Sequence, residues 1–216
     1  MFDQAALDRL YARLRARDPL NLADGVEQAL RNDLELNPAF QGRSMPGARA
    51  ASVLMPLVDR EEGISVLLTE RTDHLPDHAG QVSFPGGSRE SHDSDAIDTA
   101  LRETEEEVGI ARAFVDVIGT LDLYPTGTGF EITPVVGVVS GDFSLTIDAT
   151  EVAEVFEVPL AFILDAGNRE VHTRAFNGAD FTYYAFPYDG HYIWGATAGM
   201  LVNLAAVLAV HASEGA

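Results

Sequence analysis

The sequence predicts an α/β fold: a mixed β-sheet sandwiched between α-helices. Two observations predict it. Short runs of branched and aromatic residues, bounded by Gly, Pro and Asp, alternate with two segments of helical period. With 216 residues, of which 46% are apolar and 22% charged, the chain is long enough to bury a sizeable core.

The elements follow in order. Residues 1–47 are read as an N-terminal helical extension and 48–216 as one domain. Leu7, Leu10, Tyr11 and Leu14 recur at helical spacing until Asp18-Pro19 ends the run. A second short helix is expected from Leu22 to Leu34, with Asp24 as its cap. Gln41 to Gly47 is a connector. Val53–Val58 and Ile64–Thr69 are strands joined by a turn at Asp59–Gly63. Asp93–Val108 is helical. Phe114–Leu123 and Ile132–Val139 are strands around a loop from Tyr124 to Gly129. Val152–Val158 is a further strand, ended by Pro159. Glu170–Phe176 and Phe181–Phe186 form a hairpin through Asn177-Gly178. Ala196–His211 is an apolar helix laid on the sheet.

Composition removes several function classes. Cys is absent, so there is no disulfide framework, thiolate metal site or cysteine nucleophile. All 14 basic residues are Arg, which excludes a Schiff-base lysine and a Walker-type phosphate loop. The formal charge of -20 repels a long polyanion, so no nucleic-acid partner is expected. The N-terminus lacks the pattern of a secretory signal, and Ala196–Val210 is too short to span a bilayer. The expected location is cytoplasmic, with no membrane partner.

The informative segment is Gly86-Gly87 through Ile110. Each helical residue advances about 100°, so Glu103, Glu106 and Glu107 fall on one edge. Ile97, Ala100, Leu101, Thr104 and Val108 lie on the adjacent stripe, which faces the core. Arg102 offsets part of the repulsion through an i,i+4 pair with Glu106. A solvated acidic face has the same pattern, but a hard divalent ion would also remove the conflict, and oxygen ligands suit Mg2+ or Mn2+.

Phe84-Pro85-Gly86-Gly87, a linker, then Arg102-Glu103, Glu106-Glu107 and Gly109 resembles the box of the Nudix hydrolases. Arg102 to Ile110 matches the last nine positions of the box, except that Thr104 replaces an apolar residue. The front half departs. With five residues between, the acid that follows Gly87 is Asp93 rather than Glu, and the spacing from it to Arg102 is one residue longer. Leu67-Leu-Thr-Glu-Arg71 and Gly80-Gln-Val-Ser-Phe-Pro-Gly-Gly87 resemble the signature of the coenzyme A diphosphatase branch, with spacing intact. Thr72 replaces Ser or Ala, and Pro76 replaces the second Arg. Ile132–Gly137, Glu151–Leu160 and Trp194–Gly199 also resemble bacterial members. The likeness runs from about Ala50 to Val210.

The resemblance implies a Nudix fold and a metal-dependent diphosphatase using Mg2+ or Mn2+. The implied substrate is coenzyme A or its thioesters, split to 3',5'-ADP and 4'-phosphopantetheine or its acyl form. Another nucleoside diphosphate derivative (ADP-ribose, NADH or a nucleoside triphosphate) is the alternative within the family. A non-catalytic ligand sensor is the alternative outside catalysis, although a sensor does not need all three acids. Glu103 and Glu107, one turn apart, are the first choice as metal ligands. Glu106 is a third ligand or the base, and the Gly87 carbonyl completes the shell. Glu151 is a candidate base or further ligand. Arg102 orients a carboxylate. Arg71, Gly86 and Gly87 are expected at the substrate. Arg43, Arg49 and Arg89 are the cations available to compensate for Pro76. His74 and His78, interrupted by Pro76, are read as structural or surface residues, and Trp194 as core or cleft wall. The N-terminal 47 residues are expected to pack on the fold, cap the cleft or mediate a homodimer.

Overall fold

In the computed structural model the described residues are 12, 36–37, 47–74, 79–176 and 179–209. The two expected N-terminal helices, His78, Pro76 and the turn at Asn177-Gly178 lie outside them.

The main sheet is built on β1 (Arg49–Arg60). Its middle, Leu54 to Val58, is buried on both faces. A run of consecutive apolar residues is what such a central strand requires. β2 (Gly63–Arg71) returns antiparallel through the turn at Gly63. β3 (Val82–Ser83) continues beside the far end of β2, and β4 (Gly86–Ser88) pairs antiparallel with β1. α1 (Ala96–Val108) crosses over. β5 (Val115–Thr120) and β6 (Tyr124–Pro125) pair with β7 (Phe130–Val139). β7 runs parallel to β1, from Arg49 opposite Phe130 to Val58 opposite Val139. β8 (Val152–Pro159) covers the other edge of β2. A short helix α2 (Leu160–Leu164) leads on to a small antiparallel sheet of β9 (Glu170–Phe176), β10 (Ala179–Tyr188) and β11 (His191–Trp194). α3 (Gly195–Ala209) follows.

Strand alternation divides the core into two layers. Leu54, Leu67 and Val135 point to the side of α1, where Ala100 and Val108 meet them. Val53, Met55, Val66 and Leu68 point the other way, onto Leu201 and Leu204 of α3 and Tyr184 and Phe186 of the small sheet. The main sheet is therefore sandwiched, with α1 on one face and α3 on the other.

Three local details differ from the sequence reading. α1 begins at Ala96, because Asp95 caps it by accepting from the Asp98 N–H. Phe114 ends a 3-10 turn, so the next strand starts at Val115. The expected loop at Tyr124 contains a two-residue strand, with Tyr124 opposite Ile132. Asn37, beside Leu36 at the core, accepts from the Thr182 N–H at 2.8 Å and donates to the Thr182 carbonyl at 2.6 Å. Among the described residues no helix is long and apolar enough to cross a membrane.

Candidate active site

Three pieces of chain converge under α1: β4, the acidic edge of the helix, and the segment before β8. β4 is placed by its pairing to β1, with Ser52 opposite Gly87 and Val53 opposite Gly86. Gly86 sits at φ 153°, and a Cβ there would stand 2.4 Å from the Ser52 carbonyl oxygen. Only glycine lets the two backbones approach so closely. At Gly87 a Cβ would stand 2.6 Å from the Glu103 carboxyl carbon. The Glu103 carboxylate thus lies directly over the Gly87 backbone, in the space a side chain would fill.

Glu107 is buried, and its carboxylate accepts from the Gly86 N–H at 3.1 Å. Burial pushes this carboxyl up to about 8, against the opposing pull of the Gly86 N–H and of Arg71. Glu103 and Glu151 add to the upward push by like-charge repulsion. Glu103 is raised too, chiefly by burial, with Arg102 opposing and Glu106 and Glu151 reinforcing. Glu103, Glu107 and Glu151 are therefore electrostatic neighbours. Glu151 is exposed, and its backbone carbonyl accepts from the Thr72 N–H at 3.0 Å.

Glu106 differs from its neighbours. Its side chain is 60% exposed and takes Arg102 Nη1 at 2.9 Å. The same Nη1 lies 3.0 Å from Glu103 Oε1. Arg102 also grips Asp93, with Nε to Oδ1 at 2.9 Å and Nη2 to Oδ2 at 3.0 Å. Asp93 is 1% exposed in its side chain and accepts further bonds from the Glu90 N–H and the Thr99 hydroxyl. The Arg102 guanidinium, foremost among these donors, holds the Asp93 carboxyl well below the usual carboxylate range. Spacing alone does not reveal what Asp93 does; its only signal in the sequence is an acid separated from Gly87 by five residues.

The C-terminal end of α1 is fixed with equal care. Gly109 caps it at φ 76°, with its N–H on the Glu105 carbonyl. The Thr146 and Asp148 N–H groups then donate to the carbonyls of Val108 and Glu107, both at 2.9 Å. These contacts hold the segment that carries Glu151 against the helix.

Arg71 ends β2 on the α1 side, close enough to Glu107 to act on its charge. Its Nε is buried without a hydrogen-bond partner among the described residues. His74 is exposed. Trp194 is half-buried on the small sheet, with the Arg174 guanidinium 4.7 Å from its ring.

All the clustered donors are oxygens, and two of the acids are raised by burial and by neighbouring carboxylates. This donor set fits a hard divalent cation.

The comparisons with known proteins agree with this geometry. The NUDIX domain family matches residues 48–175, more than half of the chain. A relative described as uncharacterized Nudix hydrolase NudL of Escherichia coli (strain K12) is 41% identical over 162 residues, covering 75% of this chain and 84% of its own. Solved structures with a similar fold include two of note. The M. smegmatis Nudix hydrolase RenU is 22% identical with a TM-score of 0.46, over 55% of this chain and 75% of its own. The C. elegans Ap4A hydrolase in a binary complex is 17% identical with a TM-score of 0.45, over 51% and 80%. With the family match spanning the sheet, the Gly86-Gly87 strand and the acidic helix, the chain belongs to the Nudix family and is a hydrolase acting on phosphoric anhydride bonds.

Proposed function

We propose that this Nudix hydrolase cleaves the diphosphate of coenzyme A or its thioesters, releasing 3',5'-ADP and 4'-phosphopantetheine or its acyl form. Nudix hydrolases generally use divalent metal ions, and Mg2+ or Mn2+ is proposed here. Glu103 and Glu107 would hold the ion, with the Gly87 carbonyl beside them and Glu106 at the outer edge. When bound, the ion supplies charge neutralisation and polarises the phosphoryl oxygens.

The chain's own residues do the rest. Arg102, locked by Asp93, holds the Glu103 carboxylate over Gly87. Arg71 offers a buried N–H with no acceptor among the described residues, which suits a phosphoryl oxygen. Glu151 is exposed, stands beside Glu103 and Glu107, and is assigned the proton of the attacking water. Water attack at one phosphorus breaks the P–O–P bond, and the leaving phosphate carries the bridging oxygen away.

The observation that carries the substrate choice is the intact spacing from Leu67-Leu-Thr-Glu-Arg71 to Phe84-Pro-Gly-Gly87, with Arg71 placed beside Glu107. The test is incubation with coenzyme A and Mg2+, Mn2+ or EDTA, with products resolved by mass and a Glu107→Gln protein alongside. Metal-dependent 3',5'-ADP, lost in the variant, supports the reading. Intact coenzyme A with cleavage of ADP-ribose, NADH or a nucleoside triphosphate moves the substrate elsewhere in the family. Silence on all of them favours a sensor.

A further inference from the structure

We propose that Glu70, Glu154 and His191 form a second cation site. It would take a borderline divalent ion of the zinc type and pin the small sheet onto the large one.

Glu70 and Glu154 stand directly opposite each other across β2 and β8. They extend the face on which Leu68 meets Phe156, the face that carries α3 and the small sheet. Arg71 and the acidic helix belong to the other face, so the two sites share no residue. Like charges directly opposed across a strand pair destabilise it. His191, the first residue of β11, reaches over from the small sheet. Its Nδ1 lies 3.0 Å from Glu70 Oε2. Its ring lies flat on Phe156, with centroids 3.7 Å apart and planes 4° from parallel, which fixes the plane of the imidazole.

One ligand atom from each of the three residues lies within 4.8 Å of the other two. In a tetrahedral zinc site, bonds of about 2.1 Å put neighbouring ligand atoms roughly 3.4 Å apart. The 3.0 Å between His191 Nδ1 and Glu70 Oε2 comes within a few tenths of an ångström of that spacing. Glu154 is exposed and free to swing inward.

Charge favours an ion over a simple pair. A protonated His191 balances one carboxylate and leaves the other. A divalent ion with neutral His191 balances both. One nitrogen and two carboxylates suit Zn2+, with water as fourth ligand, better than Mg2+, which keeps to oxygen and holds its water tightly. Because the three ligands come from both sheets, the ion binds only when the small sheet is docked. It therefore stabilises the folded chain by mass action.

The test uses full-length protein carrying Glu103→Gln and Glu107→Gln, so that the acidic helix no longer competes for metal. Zn2+ is titrated by calorimetry while the side-chain nitrogen resonances of the six histidines are followed. The expected result is one Zn2+ per chain, a large shift of the His191 resonances and a higher melting temperature, none of which excess Mg2+ reproduces. Adding Glu154→Gln, an exposed change that leaves the core alone, weakens binding by about tenfold or more. Adding His191→Gln abolishes it. No Zn2+ binding, unmoved His191 resonances, or affinity unchanged by Glu154→Gln overturns the proposal and leaves Glu70–His191 an ordinary ion pair.

Discussion

Arg102 closes on Asp93 with two parallel hydrogen bonds, Nε to Oδ1 at 2.9 Å and Nη2 to Oδ2 at 3.0 Å. The remaining nitrogen, Nη1, is thereby aimed at Glu103 and Glu106. Asp93 orients Arg102, and Arg102 orients the acids. Such outer partners typically cost about 10–100-fold in metal affinity or activity when removed. Asp93→Asn and Arg102→Ala should each lower metal affinity by about that factor. The double variant should be little worse than either single one, because the two act as a unit. Arg102→Lys should not rescue, since an ammonium cannot bind Asp93 in two places and reach Glu103 as well. Calorimetric metal titrations of the four proteins check this, and additive losses would sink it.

The two glycines of β4 should fail differently. Gly86→Ala forces a left-side backbone conformation and puts Cβ 2.4 Å from the Ser52 carbonyl oxygen. It should cost roughly 1–3 kcal/mol of stability. Gly87→Ala meets the Glu103 carboxylate first, whose atoms lie 2.6–2.7 Å from the new Cβ. It should keep the melting temperature and lose activity by about tenfold or more. Urea unfolding beside kcat/KM separates the two. Equal loss of stability in both would mean that Glu103 does not rest on Gly87.

Glu107 makes the metal-free protein sensitive to base. Its ordinary carboxyl value is 4.5, and burial in the fold pushes it to about 8. The folded chain therefore holds a proton that the unfolded chain releases. That contribution is fully present below about 4.5 and is lost as pH rises through about 8. In EDTA, the wild-type protein should be less stable at pH 9 than at pH 6, by on the order of 3 kcal/mol. Glu107→Gln should flatten the difference, and Mg2+ should restore stability at the higher pH. Urea midpoints at the two pH values decide it; a wild-type profile no steeper than that of the variant would refute it.

How much of this was legible follows from which interactions leave a local trace. The strands of the main sheet are continuous apolar runs because they are buried on both faces, so Val53–Val58 and Ile132–Val139 were readable from composition. The acidic edge was readable because helical periodicity places Glu103 and Glu107 together. The arc also grouped Glu106 with them, and helical spacing gave its i,i+4 pair with Arg102, but neither shows that the Glu106 side chain stays 60% exposed. The convergence of Glu103, Glu107 and Glu151 depends on the Thr146 and Asp148 N–H groups that pair with the helix end. Glu70, Glu154 and His191 meet only because two sheets stack. None of these contacts has a period.

Arg71 is the side chain whose substitution should be felt by substrate rather than by the fold. Its backbone N–H pairs with the Gln81 carbonyl whatever the side chain is. Its buried Nε has no partner among the described residues. Charge-assisted bonds to a phosphate are worth about 1.5–3 kcal/mol each. Arg71→Lys, which keeps the charge and loses the planar fork, should raise KM about tenfold or more with a smaller effect on kcat. A matching fall in kcat at constant KM would place Arg71 at the transition state instead of in substrate binding.

Asn37 ties the chain before the domain to the small sheet. Its side-chain amide meets both backbone groups of Thr182 in β10, at 2.8 and 2.6 Å, and is itself buried. Thr182 lies beyond the stretch of β10 that β11 covers, which runs from Ala185 to Tyr188. Asn37 therefore takes the place of a strand neighbour there, across 145 residues of sequence. Asn37→Ala removes both partners and leaves a part-buried backbone N–H and carbonyl without them. A fully buried group in that state costs about 1–3 kcal/mol, so the loss for each of these is smaller. Asn37→Asp should restore the acceptor but not the donor, so its stability should fall between wild type and the alanine variant. Amide exchange at Thr182 reports on the contact directly. It should quicken in Asn37→Ala and stay slow in Asn37→Asp, where the acceptor for the Thr182 N–H survives. An unchanged Thr182 rate in the alanine variant would mean that the small sheet holds its edge without the N-terminal segment.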